Sequence, residues 1–290
     1  MTKLTDTTKA SEASKAPNAS NALPKNARLA AVQMVSTPRV DENLDTAGAL
    51  IAEAVAQDAE LVALPEYFPI IGRRESDKIK VREEFGAGPI QDFLSKTAAR
   101  HGIWLVGGSL PLAAPSPDKV LNASLVYDPQ GRCAARYDKI HLFGFQKGKD
   151  RYNEGATIQA GTTPMAFDSP FGRVGVTICY DLRFPELYRA LGVVDLNVIP
   201  SAFTEITGRA HWEILMRARA VENQCYVLAV AQGGVHENGR ETHGNSMLID
   251  PWGDVLVRLE KGPGVIVGTM DHARIAEVRE SLPALKHRAL

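Results

Sequence analysis

The sequence predicts an α/β protein on three observations. Short runs of aliphatic and β-branched residues recur along the chain, segments with helical spacing of apolar residues fall between them, and clusters of Gly, Pro, Asn and Asp mark the junctions. Strands that alternate with helices build a sheet covered by helices. The 290 residues suffice for a large core and remain within the reach of one domain. One domain over residues 29–290 is therefore expected.

The elements follow in chain order. Residues 1–28, MTKLTDTTKASEASKAPNASNALPKNAR, hold scarcely an apolar side chain, so burial there cannot offset the entropy of ordering them. A disordered leader is expected. LAAVQM (29–34) reads as a strand, 43–57 as a helix and LVALP (61–65) as a second strand. A helix over 89–101 and a strand over 103–108 form the next cycle, and LNASLVYD and GRCAARYDK make two strands joined around Pro129–Gly131. From 138 to 154 the pattern breaks: KIHLFGFQKGKDRYNEG mixes Gly, Lys and aromatics and reads as a functional loop. Order resumes with a strand over 173–178, a helix over 185–191, a strand over 194–199 and a helix over 211–223 that leads into the strand YVLAVAQ. Further strands are expected at 245–250, 254–258 and 265–270, divided by turns at 251–253 and 261–264. A last helix starts after Asp271 and ends before Pro283. A dozen strands and five helices exceed one small open sheet. Two facing sheets with helices outside accommodate them, as does a doubly wound sheet with an antiparallel extension.

Composition narrows the function. Lys and Arg total 33 against 34 Asp and Glu, which offers no net charge to draw the chain onto nucleic acid or an anionic membrane. No apolar run reaches the roughly 18 residues of a membrane span, and the start lacks the apolar segment of a secretory signal. The three cysteines, Cys133, Cys179 and Cys225, are too far apart for a disulfide scaffold or a close-spaced zinc motif. A reducing cytoplasm and a small-molecule ligand are expected. None of the seven histidines forms H-E-x-x-H, and no phosphate-binding glycine motif occurs. No metal and no organic cofactor are expected.

Three residues stand where an α/β sheet exposes reactive groups. Cys179, in VGVTICYDLRFPE, follows an apolar strand and precedes a helix near Pro185. A strand-to-helix turn of this kind holds a side chain outward and frees the next backbone N–H groups. Free cysteines are often buried and inert, and Cys133 and Cys225, lying in or at the start of strands, are read that way. Glu66 directly follows the strand LVALP, with Tyr67 and Phe68 beside it. A carboxylate in apolar surroundings resists ionisation and can act as a proton acceptor. Lys139 follows a strand end in RYDKIHLF, where flanking apolar residues tuck the backbone inward. A cation beside Cys179 favours thiolate and stabilises charge on a carbonyl oxygen. Glu154 can hydrogen-bond Lys139 or Glu66. Arg183, four residues past Cys179, can hold a substrate carboxylate with its planar fork, unless Asp181 or Glu186 occupies it in an ion pair.

LPEY (64–67), YDKIHLF (137–143) and ICYDLRFPELYR (178–189), in this order and spacing, resemble the nitrilase, or carbon–nitrogen hydrolase, superfamily over about residues 29–290. The resemblance implies a four-layer αββα sandwich. It implies that Glu66, Lys139 and Cys179 form the catalytic triad, that Glu154 is an additional supporting glutamate, and that the Tyr180 backbone N–H helps hold the oxyanion. It also implies subunit pairing, as a homodimer or larger homo-oligomer. Within the superfamily, PSAFTEITGRAHWEILMRARAVENQCYV and HGNSMLIDPWG are most similar to the amidase branch that acts on deaminated glutathione. The ω-amidase branch, acting on monoamides of dicarboxylic 2-oxo acids, shares much of this frame, and a nitrilase would use the same triad. Carbamoyl hydrolases carry a more basic pair where this chain has Leu182 before Arg183. The expected substrate is a small amide of non-peptide type that bears a carboxylate. A noncatalytic binding module is the remaining alternative.

Overall fold

Strand β1 (Ala27–Gln33) shows why two sheets form. Its side chains alternate in direction, as pleating requires, and both faces are apolar. Ala27, Leu29 and Ala31 join one core with Val176, Val198 and Leu228, whereas Ala30 and Val32 join another with Ala47, Ile51 and Leu94 from helices. A strand buried on both faces needs a layer on each side. The computed structural model describes residues 25–147 and 150–289.

The chain continues through α1 (Val40–Val55), β2 (Leu61–Ala63), α2 (Asp77–Lys80), α3 (Pro89–His101), β3 (Trp104–Val106), β4 (Leu110–Ala113), β5 (Val120–Tyr127) and β6 (Cys133–Asp138). Next come β7 (Gly144–Lys147), β8 (Asp150–Asn153), β9 (Ile158–Gln159), β10 (Met165–Ser169), β11 (Gly172–Val176), α4 (Pro185–Ala190), β12 (Leu196–Ser201), α5 (Glu205–Asn223) and β13 (Tyr226–Ala231). The last elements are β14 (Ser246–Ile249), β15 (Val255–Leu259), β16 (Gly264–Met270) and α6 (His272–Ser281). One sheet runs β16-β1-β2-β3-β5-β4, with β6 and β9 also paired to β5, and the other runs β10-β11-β12-β13-β14-β15. Helices α1 and α3 cover the first sheet, α4 and α5 lie on the second, and β1 meets β13 and β14 between them. This is the αββα sandwich.

Two glutamines join the sheets near the C-terminal ends of β1 and β13. Gln33 accepts from Ser246 N (3.0 Å) and Ser246 Oγ (2.8 Å) and donates to Gly262 O (2.9 Å). Gln232 accepts from Ser36 N (3.0 Å) and donates to Ser36 Oγ (2.7 Å) and Glu66 O (3.1 Å). Buried amides persist where their donors and acceptors are met, and these tie the segment after β2 to the opposite sheet.

The elements differ from the sequence reading in several places: α1 starts at Val40 rather than 43, α2, β4, β9 and β10 were not expected, and three further differences have a visible cause. Strand β1 starts at Ala27, two residues inside the expected leader, because Asn26 caps the far side by bonding Asp271 and His272; residues 1–24 lie outside the described residues. The segment read as an irregular loop over 138–154 contains the antiparallel pair β7 and β8, whose mixed composition hid the alternation. Helix α5 starts at Glu205 rather than 211, since Thr204 caps it by accepting from Thr207 N (3.3 Å). Helix α6 starts after Asp271 as expected, with Asp271 accepting from Ala273 N (2.9 Å). No helix of the described residues is long and apolar enough to cross a membrane.

Leu29 is fully buried between the sheets. Leu29→Ala is expected to lower stability by about 2–5 kcal/mol through lost burial and the cavity left behind. Denaturant unfolding measures it, and a loss below about 1 kcal/mol would contradict the two-sided packing of β1.

Candidate active site

Glu66 leaves the end of β2 on a backbone that local sequence holds in place. The next residue, Tyr67, has φ 56°, in the left-handed region that non-glycine residues seldom occupy, and its N–H donates to Ser109 Oγ (3.0 Å). Gly108, itself at φ 54°, packs so tightly that an added Cβ would stand 2.1 Å from Pro65 O, so only glycine lets the two loops meet. The Glu66 side chain is 1 % exposed. It accepts from Asn122 Nδ2 (3.0 Å), from Lys139 Nζ (2.8 Å) and from Ala202 N (3.0 Å). The aromatic surroundings expected from Tyr67 and Phe68 therefore do not set its environment; three N–H donors do.

Lys139 follows β6 and is fully buried, with Nζ 2.8 Å from Glu66 Oε1, 3.1 Å from Glu154 Oε1 and 2.8 Å from Glu154 Oε2. Burial opposes its charge, but Glu154 and Glu66 overcome that and raise its pKa above the ordinary lysine value. Glu154 is in turn held by Tyr67 Oη (2.7 Å) and Phe143 N (2.7 Å). Burial disfavours its charge too, yet Lys139 and these donors lower its pKa.

Cys179 opens a helical turn directly after β11, at φ 50°. Tyr180 is the second residue of that turn, so its N–H has no acceptor within it. Asp181 anchors the turn from inside: it accepts from Ile178 N (2.9 Å), Tyr137 Oη (2.7 Å) and His141 N (3.0 Å), and its Oδ1 lies 2.7 Å from His141 Nδ1. Arg219 on α5 holds the other end, donating from Nε (3.0 Å) and Nη2 (2.7 Å) to Leu182 O. The Cys179 thiol is pushed well above the usual cysteine range, by burial first and the Glu66 charge second, against the pull of Lys139. The resting thiolate that a neighbouring cation suggested is thus not favoured. The thiol needs a base at the moment of attack.

Glu66, Glu154, Cys179, Tyr180 and Arg183 line one cavity with Phe143, Phe203 and Arg240. The segments 138–154 and 201–210 both supply its walls. Arg183 stacks on Phe203 (5.4 Å) and Tyr180 (5.7 Å), with Nη1 3.2 Å from His211 Nδ1. Neither Asp181 nor Glu186 takes it up, because Asp181 is turned inward. Of the other cysteines, Cys225 is buried beside Asn197 Nδ2 (3.2 Å), where burial raises its thiol to about 12. Cys133 is exposed rather than packed, since β6 begins at the sheet margin. Sequence reading missed Asn122, Arg219 and Arg240, and it considered Asp181 only as a partner for Arg183. Asn122 carries a signal, as a polar residue inside the apolar strand β5; the others offer none without the fold. No group of three or more His, Cys, Asp or Glu side chains suited to a metal ion occurs among the described residues.

Comparison with known proteins agrees with this geometry. Residues 28–280 match the family model described as carbon-nitrogen hydrolase. A deaminated glutathione amidase from Synechocystis is 42% identical over 265 residues, covering 89% of this chain and 97% of that protein. The crystal structure of the Caenorhabditis elegans NitFhit protein aligns with TM-score 0.85 at 37% identity, over 92% of this chain and 66% of that one. That of Saccharomyces cerevisiae Nit3, a member of branch 10 of the nitrilase superfamily, aligns with TM-score 0.82 at 31% identity, over 94% of this chain and 100% of that one. With its sandwich, its buried carboxylate–lysine pair and its cysteine on a tight turn, the chain belongs to the carbon–nitrogen hydrolase, or nitrilase, superfamily and is a cysteine-dependent hydrolase of carbon–nitrogen bonds.

Proposed function

We propose that this chain is a deaminated glutathione amidase, in which Cys179, Glu66 and Lys139 are the catalytic residues, and Glu154 and the Tyr180 N–H support them. The observation that carries the chemistry is the buried Glu66–Lys139–Glu154 network on the cavity that holds Cys179. Glu66 accepts the thiol proton as sulfur bonds to the amide carbon. The carbonyl electrons move to oxygen, where the Lys139 ammonium and the Tyr180 N–H stabilise them. Glu66 then returns the proton to the amide nitrogen, the C–N bond breaks, and the amine leaves a thioester behind. A water molecule gives a proton to Glu66 and its oxygen to the thioester carbon. The C–S bond breaks, the carboxylic acid departs and sulfur regains the proton. Glu154 keeps Lys139 charged throughout, so Lys139 serves as a fixed positive charge and Glu66 as the shuttle.

The substrate class rests on the similarity to proteins of that name and on Arg183, a partly buried guanidinium on the cavity wall. Its fork suits the carboxylate of a 2-oxo acyl group. In deaminated glutathione the leaving amine is cysteinylglycine; a small ω-amide would instead release ammonia through the same thioester.

We also propose a homodimer or larger assembly. Ile206, Ile214 and Val221 of α5 are exposed, as are Trp252 and Leu256, and apolar side chains gathered on one side of a subunit favour pairing. Helix α4 contributes less, because Leu187 and Tyr188 are buried within the subunit.

Three outcomes test these proposals. Folded Cys179→Ala is expected to lose turnover while Cys133→Ala and Cys225→Ala keep it. Lys139→Ala is expected to lose about 100-fold or more in kcat, on the scale of an oxyanion donor, and Glu66→Gln to bind substrate without turning it over. Steady-state kinetics decide, and full activity in any of the three site variants contradicts the mechanism. In a second set, kcat/KM is compared for deaminated glutathione, 2-oxoglutaramate, an N-carbamoyl amino acid and an aliphatic nitrile. Deaminated glutathione is expected to lead, with its lead over the nitrile, which has no carboxylate, reduced in Arg183→Ala. A better rate on 2-oxoglutaramate would move the chain to the ω-amidases, and one on the nitrile or carbamoyl compound would overturn the amidase assignment. Light scattering is expected to give at least twice the 31.4 kDa chain mass; a single 31.4 kDa species at working concentrations would overturn the assembly.

A further inference from the structure

Arg240 is a second cation on the wall of the Cys179 cavity, and the chemistry above makes no use of it. It sits in the connection between β13 and β14, where the backbone fixes it. His236 N donates to Arg240 O (2.9 Å), Arg240 N donates to Asn238 Oδ1 (2.9 Å), and Val235 bridges Glu241. The guanidinium lies 5.4 Å over the Tyr152 ring, and Nη2 donates to Ala202 O (2.7 Å). Its Nε is sealed from solvent without an acceptor, and among the described residues no carboxylate pairs with the side chain. A guanidinium fork in this condition is short of acceptors that an anion would supply.

Its position relative to the scissile bond follows from Ala202. The N–H of Ala202 donates to Glu66 Oε2 (3.0 Å) while its carbonyl accepts from Arg240, so one residue links Arg240 to the carboxyl that protonates the departing nitrogen. On the proposed mechanism that link sets Arg240 toward the leaving-group side. On the same reading Arg183, on the turn of Cys179 and stacked on Phe203, takes the acyl side. Arg240 and Thr204 also line a neighbouring cavity of about 230 Å³ with Phe145, Tyr152 and Ile206. A leaving group longer than ammonia has room there.

We infer that Arg240 binds a carboxylate carried by the amine half of the substrate, which makes this a site for secondary amides whose leaving group is an amino acid or short peptide. The inference rests on the amide-hydrolase reading of the same site. The alternative role is a fixed counter-charge for Glu66 and Glu75, which would act on every substrate alike.

Three amides with one 2-oxo acyl group separate these roles: the primary amide, an amide to a dipeptide with a free carboxylate, and the same compound with that carboxylate capped as a carboxamide. The wild-type protein is expected to prefer the free carboxylate over its capped form by about 10-fold or more in kcat/KM, the scale of a hydrogen bond to a charged group. In Arg240→Gln the ratio should fall toward one, chiefly through KM, and Arg240→Lys should restore part of it by keeping the charge without the fork. Arg183→Ala should weaken all three amides and leave the ratio in place. A wild-type ratio near one, an unchanged ratio in Arg240→Gln, or an equal loss on all three substrates would overturn the anchor while leaving the amidase intact. Failure of the wild-type protein to cleave any of the three would instead overturn the amidase itself. Should Arg240→Gln fail to fold, the wild-type protein supplies the measurement. The free dipeptide should slow alkylation of Cys179 by iodoacetamide more than its carboxamide does, and equal protection would overturn the proposal.

Discussion

The ion pair between Lys139 and Glu66, closed by Glu154, is the interaction around which the rest of the site is arranged. An ammonium with no exposed surface loses its hydration, and it stays charged only because two carboxylates lie within 2.8 Å on either side. Removing one partner of such a pair typically costs about 3–5 kcal/mol, since the other is left uncompensated. The three residues come from three segments, after β2, after β6 and after β8, so the ion pair also commits those segments to one relative placement. Tyr67, Phe143, Asn122 and Ala202 then satisfy the remaining acceptor positions.

This arrangement explains why the nucleophile rests as a thiol. Burial disfavours a thiolate at Cys179, and the Glu66 charge adds to that against the pull of Lys139, so the sulfur holds its proton. On the proposed mechanism proton transfer accompanies attack, because Glu66 and Cys179 line one cavity and the Lys139 charge is paired to Glu66. Reactivity is thus supplied by positioning and by fixed charge rather than by a free thiolate.

The turn that carries Cys179 is held from several directions. Asp181 joins it to Tyr137 and His141 on the Lys139 side, and Arg219 joins it to α5. The positive φ values at Tyr67 and Cys179 place strain at the residue after Glu66 and at Cys179 itself. Strain of this kind persists only where the surroundings over-determine it, and the Gln232 bridge between Ser36 and Glu66 is part of that constraint. Catalytic geometry and sheet-to-sheet packing are therefore held by the same hydrogen bonds.

Much of this was legible in the residues themselves. The alternation of apolar runs and helical spacing located α3 and α6 closely, and the strand ends before Glu66, Lys139 and Cys179 marked them as candidates because chemistry collects where strands stop. Local pattern stops short of long-range pairing. It could not tell two facing sheets from one extended sheet, since a strand buried on both faces reads the same in either. It gave Glu66 an aromatic neighbourhood when Asn122 and Ala202, 56 and 136 positions away, supply its partners. It offered Asp181 or Glu186 as a partner for Arg183, when a single turn directs the Asp181 carboxylate inward to Tyr137. Arg240 was silent in the sequence because its meaning is its distance from Ala202 and Glu66. The sequence by itself determined which side chains can do the chemistry; the tertiary structure decided their neighbours and hence their protonation, because electrostatic environment is set by groups distant along the chain and adjacent in space.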